Sequence, residues 1–539
     1  MNRDGAMQSA WQQEVKEFGT PPTIQEHYDV AIVGAGITGL TTAERLQAAG
    51  LNCIVLEAAN IGYGTTGGTT AHLNNFFDSS YDEVIKNFGE EEARLLARAG
   101  EEAIEAIRFN VQQYQIDCDF AMKTAYLFAT DPDQEEQLES LVDGTRKAGI
   151  AVEFDNQAVF PIPFKKQARI GGQAQFHPLK YIRALAEAFL QQGGTLVEQA
   201  RVLEHRKEGE DLILETEKGQ IKARHIVYAT HTAPGVHLLH FRLIPWRSYV
   251  IAARLKKGGI HATHTSPGAI DPRLANNTQV NSMYDALGYD LADPYHYYRF
   301  HSINGETLLI AGGKDHKTGK EEDTEQVFRE LEAHVRRYFD LEEVVYSWSS
   351  QYYEPADGLP YIGHLPGHPD GVYVATGYNG NGMIFGTVSA ILIDSLIRNG
   401  DHAYKNLFNP ARVKPVAGAA KFVEHGANVV SSFIADKLSV DKIASLVELN
   451  NDEARIVKYE GDTYAMYKDQ GGVLHAISSN CSHINCTIAW NRAEKTWDCP
   501  CHGSRFNING KVLTGPAVRD LDRVKFAVPG QKATNEGKT

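Results

Sequence analysis

The hydrophobic positions of the chain change their period along its length, and each change predicts a different kind of element. The stretch "YDVAIVGAG" (28–36) is a buried strand that leads into a glycine turn, and "LTTAERLQAAG" (40–50) continues at helical spacing. A second apolar strand, "NCIVLEA" (52–58), completes a β–α–β unit, which predicts a parallel sheet with helices on its faces. Residues 90–150 carry apolar positions at helical spacing, whereas aromatic and β-branched runs between about 241 and 354 predict an antiparallel sheet.

The pattern changes again near residue 412, which we take as a domain boundary. The stretch "NLFNPARVKPVAGAA" has two prolines, small residues and no strand pattern, and from about 440 short strands alternate with turn signals such as "NINGK". The second part therefore reads as a small all-β domain. The expected organisation is an N-terminal arm (1–27), a main domain (28–412), a helical linker (413–440) and the small domain (441–539).

Charge and composition exclude several classes of protein. The 539-residue chain has a net charge of −15 and no basic stripe, which argues against nucleic acid as a partner. It has no run of about 18 apolar residues, so no transmembrane segment is expected, and its first residues lack the apolar core of a secretory signal. Six cysteines do not make a secreted disulfide scaffold. We therefore expect a cytoplasmic protein.

The first glycine turn has the spacing of a dinucleotide-binding site. Gly34 permits the tight turn, Gly36 lets the backbone approach a pyrophosphate, and Gly39 lets the helix pack on the strand. The N-terminus of the helix supplies free N–H groups to the phosphates. Glu57 ends the second strand, where a carboxylate accepts hydrogen bonds from ribose hydroxyls. Strand, turn, helix, strand and acid together predict a bound dinucleotide, but this spacing does not separate FAD from NAD.

Three further stretches favour FAD. They are "GYGTTGGTTAHL" (62–73), "IKARHIVYATHTAP" (221–234) and "DGLPYIGHLPGHPDGVYVATGYNGNGMIFG" (357–386). In order and character they resemble the D-amino-acid oxidase and sarcosine oxidase superfamily of flavoproteins. The resemblance covers roughly residues 28–410. It implies a Rossmann-like α/β FAD-binding domain joined to an antiparallel-sheet substrate domain.

By this resemblance, FAD-binding segments lie at about 28–95, 170–240 and 355–412, and substrate segments at about 96–169 and 241–354. Gly68 takes the position at which some relatives attach FAD covalently, so we expect non-covalent FAD. The FAD would be held by Gly34, Ala35, Gly36, Gly39, Glu57, Thr65, Thr66, Thr69, Val202, Thr230, Gly377, Gly380, Gly382 and Met383.

The substrate residues are predicted from the strand "YHYYRFHSINGETLLIAGG". Arg299 stands where amino-acid-oxidising relatives often carry an arginine that binds the substrate carboxylate, and a guanidinium can do so with two hydrogen bonds. A structural arginine paired with a nearby acid is the alternative. Tyr249 and Tyr298 are candidate pocket walls, although aromatic residues on strands also form cores.

Four of the six cysteines fall in one short window near the C-terminus. Cys481 and His483 are separated by one residue, and Cys499 and His502 by two. Zinc accepts thiolate and imidazole ligands, so a structural zinc site is one interpretation, and buried thiols are another. The two pairs also form the Rieske pattern, in which two cysteines bind one iron of a 2Fe–2S cluster and two histidines bind the other.

Further residues in this window resemble the Rieske proteins of cytochrome bc complexes. By that resemblance, Cys486 and Cys501 form a disulfide across the two cluster loops, and Ser504 donates a hydrogen bond to the cluster. Phe506 stands where these relatives often carry a tyrosine, and "TGPAV" (514–518) is similar to their proline loop. The resemblance implies a Rieske cluster held by Cys481, His483, Cys499 and His502.

The two predicted cofactors together favour a dehydrogenase. By resemblance, the substrate is a small amine or amino acid whose C–N bond is oxidised by FAD, and the Rieske cluster passes the electrons to an acceptor protein or a quinone. The alternative is an electron-transfer reductase or ferredoxin-like component that serves another redox enzyme, although the sequence has no visible NAD(P)H domain. A redox sensor is a third possibility without positive support. A Rieske oxygenase would need a mononuclear iron domain in the place taken by the flavin domain.

Overall fold

The computed structural model describes residues 5–12, 18, 24–260, 285–413, 441–442, 449–459 and 462–524, and the account below is confined to them. The predicted helical linker lies outside the described residues, except for residue 413.

The main domain alternates strands and helices and then turns to long strands. Its strands are β1 His27–Val33, β2 Cys53–Leu56, β3 His72–Leu73, β4 Ala121–Ala129, β5 Val152–Phe154, β6 Lys166–Gln175, β7 Thr195–Val197, β8 Val202–Glu208, β9 Asp211–Thr216, β10 Gly219–Tyr228, β11 Leu243–Ile260, β12 Ala286–Asp290, β13 His296–Ile303, β14 Glu306–Lys317, β15 Phe339–Pro355, β16 Tyr361–His364 and β17 Val372–Thr376. Its helices are α1 Ile37–Ala48, α2 Thr65–Gly68, α3 Tyr81–Phe88, α4 Glu90–Gln113, α5 Pro132–Lys147, α6 Pro178–Gln191, α7 Thr324–Val335 and α8 Gly382–Asn399, and a 3-10 turn spans Leu238–Arg242.

The first sheet has the predicted parallel core. Its strand order is β16-β17-β10-β1-β2-β7, and β1 pairs in parallel with both β2 and β10. The apolar run of β2 is buried on both faces, which is typical of a strand in a parallel sheet. Helices α1 and α8 pack against each other. Helix α8 is long and apolar enough to cross a membrane, but 61% of it is buried inside the protein, as a core helix would be.

The second sheet confirms the predicted antiparallel sheet and extends it. Its order is β15-β11-β14-β13-β12-β4-β6-β3, and the pairs among β11, β13, β14 and β15 are antiparallel. Strand β4 lies within the region predicted to be helical and pairs in parallel with β12. The helical spacing is borne out on either side of it, by α4 and α5. Pairing with a distant strand, rather than local spacing, therefore decides the structure of residues 121–129.

The C-terminal part is all-β, as predicted. It contains β18 Asp441–Lys442, β19 Glu453–Tyr459, β20 Asp462–Lys468, β21 Leu474–Ser478, β22 Ala489–Asn491, β23 Thr496–Asp498, β24 Arg505–Asn507 and β25 Val512–Thr514. These strands form two four-stranded sheets, ordered β18-β19-β20-β21 and β22-β23-β24-β25. Trp497 and Phe506 are buried in the hydrophobic core of this part, together with the two cysteines predicted to bind the cluster and the two predicted to form the disulfide.

The N-terminal arm packs against the main domain where it is described. Residues 5–12 form turns, and Ala10 and Trp11 are buried beside Val250 and Trp348. The indole Nε1 of Trp11 donates a hydrogen bond to the carbonyl oxygen of Thr69, 2.6 Å away. The arm therefore supports the 62–73 loop that the sequence analysis assigns to FAD.

Candidate cofactor and substrate site

A cavity of about 710 Å³ lies at the carboxyl ends of β1, β2 and β10. Its walls include the first glycine turn, the loop 62–70, the turn 378–383 and the loop 511–518 of the C-terminal part. The volume falls within the range of about 300–1,000 Å³ that is usual for ligand and cofactor sites. The carboxyl ends of parallel strands are also where open α/β sheets bind their ligands.

The glycine turn leaves no space for side chains. Gly34 has a φ of +104°, and a Cβ on Gly39 would lie 1.8 Å from the carbonyl oxygen of Gly34. A Cβ on Gly36 would lie 2.9 Å from Oγ1 of Thr66, at the edge of the cavity. Helix α1 begins directly after this turn. The turn thus has the close packing and the open helix N-terminus that a pyrophosphate site requires.

Glu57 lies at the other side of this turn. Its carboxylate accepts hydrogen bonds from the backbone N–H groups of Ala35 and Ala59, each at 2.8 Å, and the residue lines the cavity. Burial raises the pKa of this carboxyl group, and the two N–H groups oppose the rise. The carboxylate is thus oriented at the end of β2, where a ribose would be bound.

Most of the residues predicted to hold FAD line this one cavity. Those on its wall are Gly34, Gly36, Glu57, Thr65, Thr66, Thr69, Val202, Thr230, Gly380, Gly382 and Met383. Ala35, Gly39 and Gly377 are not on the wall. Ala35 belongs to the glycine turn, Gly39 lies in the first turn of α1, and Gly377, with a φ of +77°, precedes the turn 378–383. The geometry therefore fits the FAD that the sequence predicts at these positions.

The predicted carboxylate clamp does not fit the geometry. Arg299 is fully buried and does not line the cavity. Its guanidinium donates hydrogen bonds to the carbonyl oxygens of Thr70 (2.6 Å) and Ala71 (2.9 Å) and contacts Nδ1 of His301 at 2.7 Å. Arg299 therefore stabilises the backbone of residues 70–71 behind the cavity wall. The prediction that it binds a substrate carboxylate is corrected accordingly.

Neither predicted tyrosine lines the cavity, and the reason is strand alternation. The hydroxyl of Tyr298 pairs with His334 and that of Tyr249 with His316, each at 2.8 Å on the far side of the sheet. Because successive side chains of a strand face opposite sides, their neighbours line the cavity instead. These neighbours are Tyr297, Ser248 and Val250.

The sequence analysis missed the rest of this wall. Tyr289, Tyr295 and Tyr352 line the cavity together with the carboxylates of Asp78 and Asp315. The aromatic run at 295–298 was a signal for a tyrosine-rich wall, but it does not say which of its tyrosines face inward. No local signal distinguishes the two aspartates from other loop and strand-end carboxylates.

The predicted cluster ligands converge at the tips of two loops. Cys481 and Cys499 are buried, and the ring centroids of His483 and His502 lie 5.1 Å apart. Nδ1 of His483 is buried and has no hydrogen-bond partner among the described residues, so it is an available ligand atom. The Cys499 thiol and then the backbone N–H groups of His483 and Ile484 lower the pKa of Cys481 against its burial. Two thiols and two imidazoles in this arrangement suit a 2Fe–2S cluster with mixed ligands.

The two cluster loops are joined as the resemblance implied. Cys486 and Cys501 form a disulfide with Cα atoms 6.5 Å apart. The hydroxyl of Ser504 contacts Cys481 and accepts a hydrogen bond from the N–H of Ala517, 3.0 Å away. Ser504 thereby connects the cluster loops to the proline loop.

The C-terminal part is docked on the main domain through the same loops. The hydroxyl of Tyr353 donates to the carbonyl oxygen of His502 (3.0 Å), and Nε2 of Gln351 donates to that of Gly503 (2.9 Å). Nε2 of His483 lies 3.0 Å from the carbonyl oxygen of Gly235. Both cluster histidines thus face the domain that carries the large cavity.

Two protein families match separate parts of the chain. Residues 29–396 match the family of FAD dependent oxidoreductases, and residues 439–525 match the Rieske 2Fe–2S domain. The chain belongs to the FAD-dependent oxidoreductase family. The chain is therefore an FAD-dependent oxidoreductase, and its Rieske domain implies a 2Fe–2S cluster.

Some relatives match both parts of this chain, and others match only one of them. The Rieske 2Fe–2S iron–sulfur protein YhfW of Bacillus subtilis is 31% identical over 507 residues, which cover 93% of this chain and 95% of that protein. Gamma-glutamylputrescine oxidoreductase of Escherichia coli is 26% identical over 391 residues, covering 69% of this chain and 83% of that protein.

Solved structures share the fold of the flavoprotein part. Glycine oxidase from Geobacillus kaustophilus superposes with a TM-score of 0.55 at 18% identity, over 72% of this chain and 100% of that chain. L-proline dehydrogenase from P. horikoshii gives a TM-score of 0.56 at 16% identity, over 72% and 98%.

Proposed function

We propose that the protein is a dehydrogenase that oxidises the C–N bond of a small amine or amino acid and passes the electrons through its Rieske cluster to an external acceptor. One observation carries the proposal: the loop 511–518 of the Rieske domain forms part of the wall of the FAD cavity. Ala517 of this loop also donates a backbone hydrogen bond to the hydroxyl of Ser504, which contacts Cys481. One short segment thus borders both cofactor sites.

The residues around the cavity account for the binding and orientation that this chemistry needs. Oxidation of an amine to an imine releases two electrons and two protons, and bound FAD supplies the two-electron chemistry. The glycine turn and Glu57 would hold its dinucleotide part, and the turn 378–383 would border its ring. The Rieske cluster carries one electron at a time, so each substrate requires two successive transfers to a one-electron acceptor protein or a quinone.

The docked loops suit the transfer between the two cofactors. The main-chain contacts of Tyr353 and Gln351 hold His502 and Gly503 against the main domain. These two side chains belong to β15. Three residues of the same strand, Ser350, Gln351 and Tyr352, line the cavity. The same strand therefore positions the cluster loop on one side and borders the flavin site on the other.

The test is an anaerobic reduction screen of the purified protein. Secondary amines, N-methylated glycines and amino acids are compared with NADH and NADPH, and flavin bleaching is read together with the low-temperature EPR signal of the reduced cluster. Bleaching by an amine or amino acid, followed by the cluster signal, supports the dehydrogenase. Reduction by NADH or NADPH alone would instead make the protein a reductase. Bleaching without any cluster signal would refute the transfer step.

Two finer points of the proposal have simple tests. Non-covalent FAD should be released into the supernatant when the protein is precipitated with acid, whereas covalent flavin would stay in the pellet. A cytoplasmic location should place the protein in the soluble fraction after cell disruption and sedimentation of membranes. A disulfide is unusual in that compartment, and its burial between the cluster loops would slow its reduction.

A further inference from the structure

The part of the cavity formed by the second sheet is aromatic and acidic. Tyr295 and Tyr297 at the start of β13 have ring centroids 5.8 Å apart, and Tyr352 on β15 lies near them. Two carboxylates share this space, Asp78 from the loop after β3 and Asp315 from β14. Rings and carboxylates are the groups that bind organic cations, through cation–π attraction and ion pairing.

The buried carboxylate of Asp315 is only partly stabilised by the groups around it. Its Oδ2 accepts a hydrogen bond from the hydroxyl of Tyr352 at 2.9 Å, but its Oδ1 is buried and has no hydrogen-bond partner among the described residues. Burial raises the pKa of this carboxyl group to about 7, against the hydroxyls of Ser248 and Tyr352, which lower it; the charge of Asp78 raises it further and that of His296 lowers it. A buried carboxylate without a counter-charge is unfavourable, so a cation bound beside it would be stabilised.

Asp78 connects this acidic pair to the expected flavin turn. Its Oδ2 accepts a hydrogen bond from the backbone N–H of Gly380 at 2.6 Å, and its Oδ1 accepts one from the hydroxyl of Tyr295 at 3.3 Å. Gly380 belongs to the turn 378–383 that would border the flavin ring. A ligand between the two aspartates would therefore lie beside the part of the cavity where oxidation takes place.

Cationic side chains are placed elsewhere in the described wall. Arg201 and Lys511 line the cavity at the part of the wall that Val202 and Val512 form, and Arg201 donates a hydrogen bond to the carbonyl oxygen of Val512 at 3.0 Å. His72 also lines the cavity, but burial and then the charge of Arg299 keep its pKa well below the usual range, so it is neutral. No described arginine or lysine thus faces the two aspartates from the wall of the cavity.

We propose that the substrate is a cationic amine without a carboxylate beside the reacting nitrogen, and that Asp315 and Asp78 select it together with the tyrosine wall. This proposal rests on the dehydrogenase function proposed above and names its substrate class. A substrate carboxylate in this position would meet two acidic side chains and no described arginine or lysine on the wall. An amino acid bound as a zwitterion is therefore disfavoured, and a di- or polyamine or another cationic alkylamine fits.

The test measures binding and does not depend on turnover. Three probes of similar size are titrated into the FAD-loaded protein under anaerobic conditions, with flavin absorbance and calorimetry as readouts: choline, its neutral carbon isostere neohexanol, and glycine betaine, which adds a carboxylate. Choline should bind at least about tenfold more tightly than either of the others, because its quaternary ammonium is attracted to the carboxylates and to the tyrosine rings, whereas neohexanol has no charge and betaine brings a carboxylate of its own. Equal or tighter binding of betaine or neohexanol, or no binding of choline, would overturn the proposal.

Three variants test whether the two aspartates cause the selectivity for choline. Asp315→Asn and Asp78→Asn should each lower the affinity for choline by about 10- to 100-fold and leave that for neohexanol unchanged, because only the cation is attracted by the charge of the carboxylate. Glu342→Gln is the matched control, since it removes one negative charge at an exposed position of β15 outside the cavity. An unchanged flavin spectrum and melting temperature identify the variants that fold. If the folded aspartate variants bind choline as the control does, the carboxylates do not select the ligand.

The two proposals can fail separately. If choline binds selectively but no amine bleaches the flavin, the cation site stands and the dehydrogenase function fails. If the flavin is bleached by zwitterionic amino acids and not by cationic amines, the dehydrogenase stands and the proposed substrate class is wrong.

Discussion

Replacing Glu494 by glutamine should loosen the docking of the Rieske domain on the main domain. Glu494 lies in the turn between β22 and β23, and its Oε1 is 3.5 Å from the guanidinium of Arg247 on β11. It also accepts hydrogen bonds from the backbone N–H (3.1 Å) and hydroxyl (2.6 Å) of Ser349 on β15. Both charged side chains are fully buried, at 0% exposure. The substitution therefore removes the Glu494 carboxylate from the buried charge of Arg247, and Asp498 remains as an acidic neighbour.

The magnitude follows from that burial. Removing one partner of a buried ion pair costs about 3–5 kcal/mol, because the remaining charge stays in a poorly solvating environment. Since each step of about 1.4 kcal/mol is a factor of ten, the equilibrium for opening of the interface should shift by roughly two to four powers of ten. Native-state hydrogen exchange measures this shift, because the Ser349 amide exchanges only when its contact with Glu494 opens.

A second ion pair across the same interface provides the control. Nε of Arg492 lies 3.3 Å from Oε2 of Glu325, with side chains 51% and 36% exposed. Exposed pairs contribute about 0–1 kcal/mol, so Glu325→Gln should change the exchange of the Ser349 amide by less than about tenfold. If Glu494→Gln and Glu325→Gln change it equally, or if neither changes it, the buried pair does not hold the domains together and the reasoning is refuted.

Three further variants and conditions test the cofactor and substrate sites. Gly39→Ala should abolish FAD loading, since its Cβ would lie 1.8 Å from a backbone oxygen of the glycine turn. A purified variant with a normal flavin spectrum would contradict this expectation. His502→Ala should remove the EPR signal of the Rieske cluster and leave the flavin absorbance in place; loss of both would undermine the two-domain assignment. The affinity for choline should rise as the pH is raised through about 7, because the Asp315 carboxyl is neutral below its pKa and anionic above it. Asp78 and His296 are the other charged or titratable groups that act on the Asp315 carboxyl, and the surrounding tyrosines stay neutral in this pH range. A choline affinity that does not change with pH would therefore argue against Asp315.

The sequence by itself determined the dinucleotide turn and the cluster ligands, because each of these two groups is built from residues close together in the chain. The dinucleotide turn and its acid lie within one β–α–β unit, so their spacing directly encodes their contacts. The cluster ligands lie between residues 481 and 502, and the loops that carry them are joined by a disulfide within the same window. The two domains and their classes could be predicted for the same reason.

Only the tertiary structure decided the substrate wall and the docking of the domains. Asp78, Tyr297, Asp315 and Tyr352 come from four separate segments, and the pairing of the second sheet brings them together. Which tyrosines face the cavity depends on strand register, and a shift of one residue turns a side chain to the other face. Arg299 shows the same limit: its strand was predicted correctly, but the backbone packed over it determines that it holds the wall and does not reach the substrate.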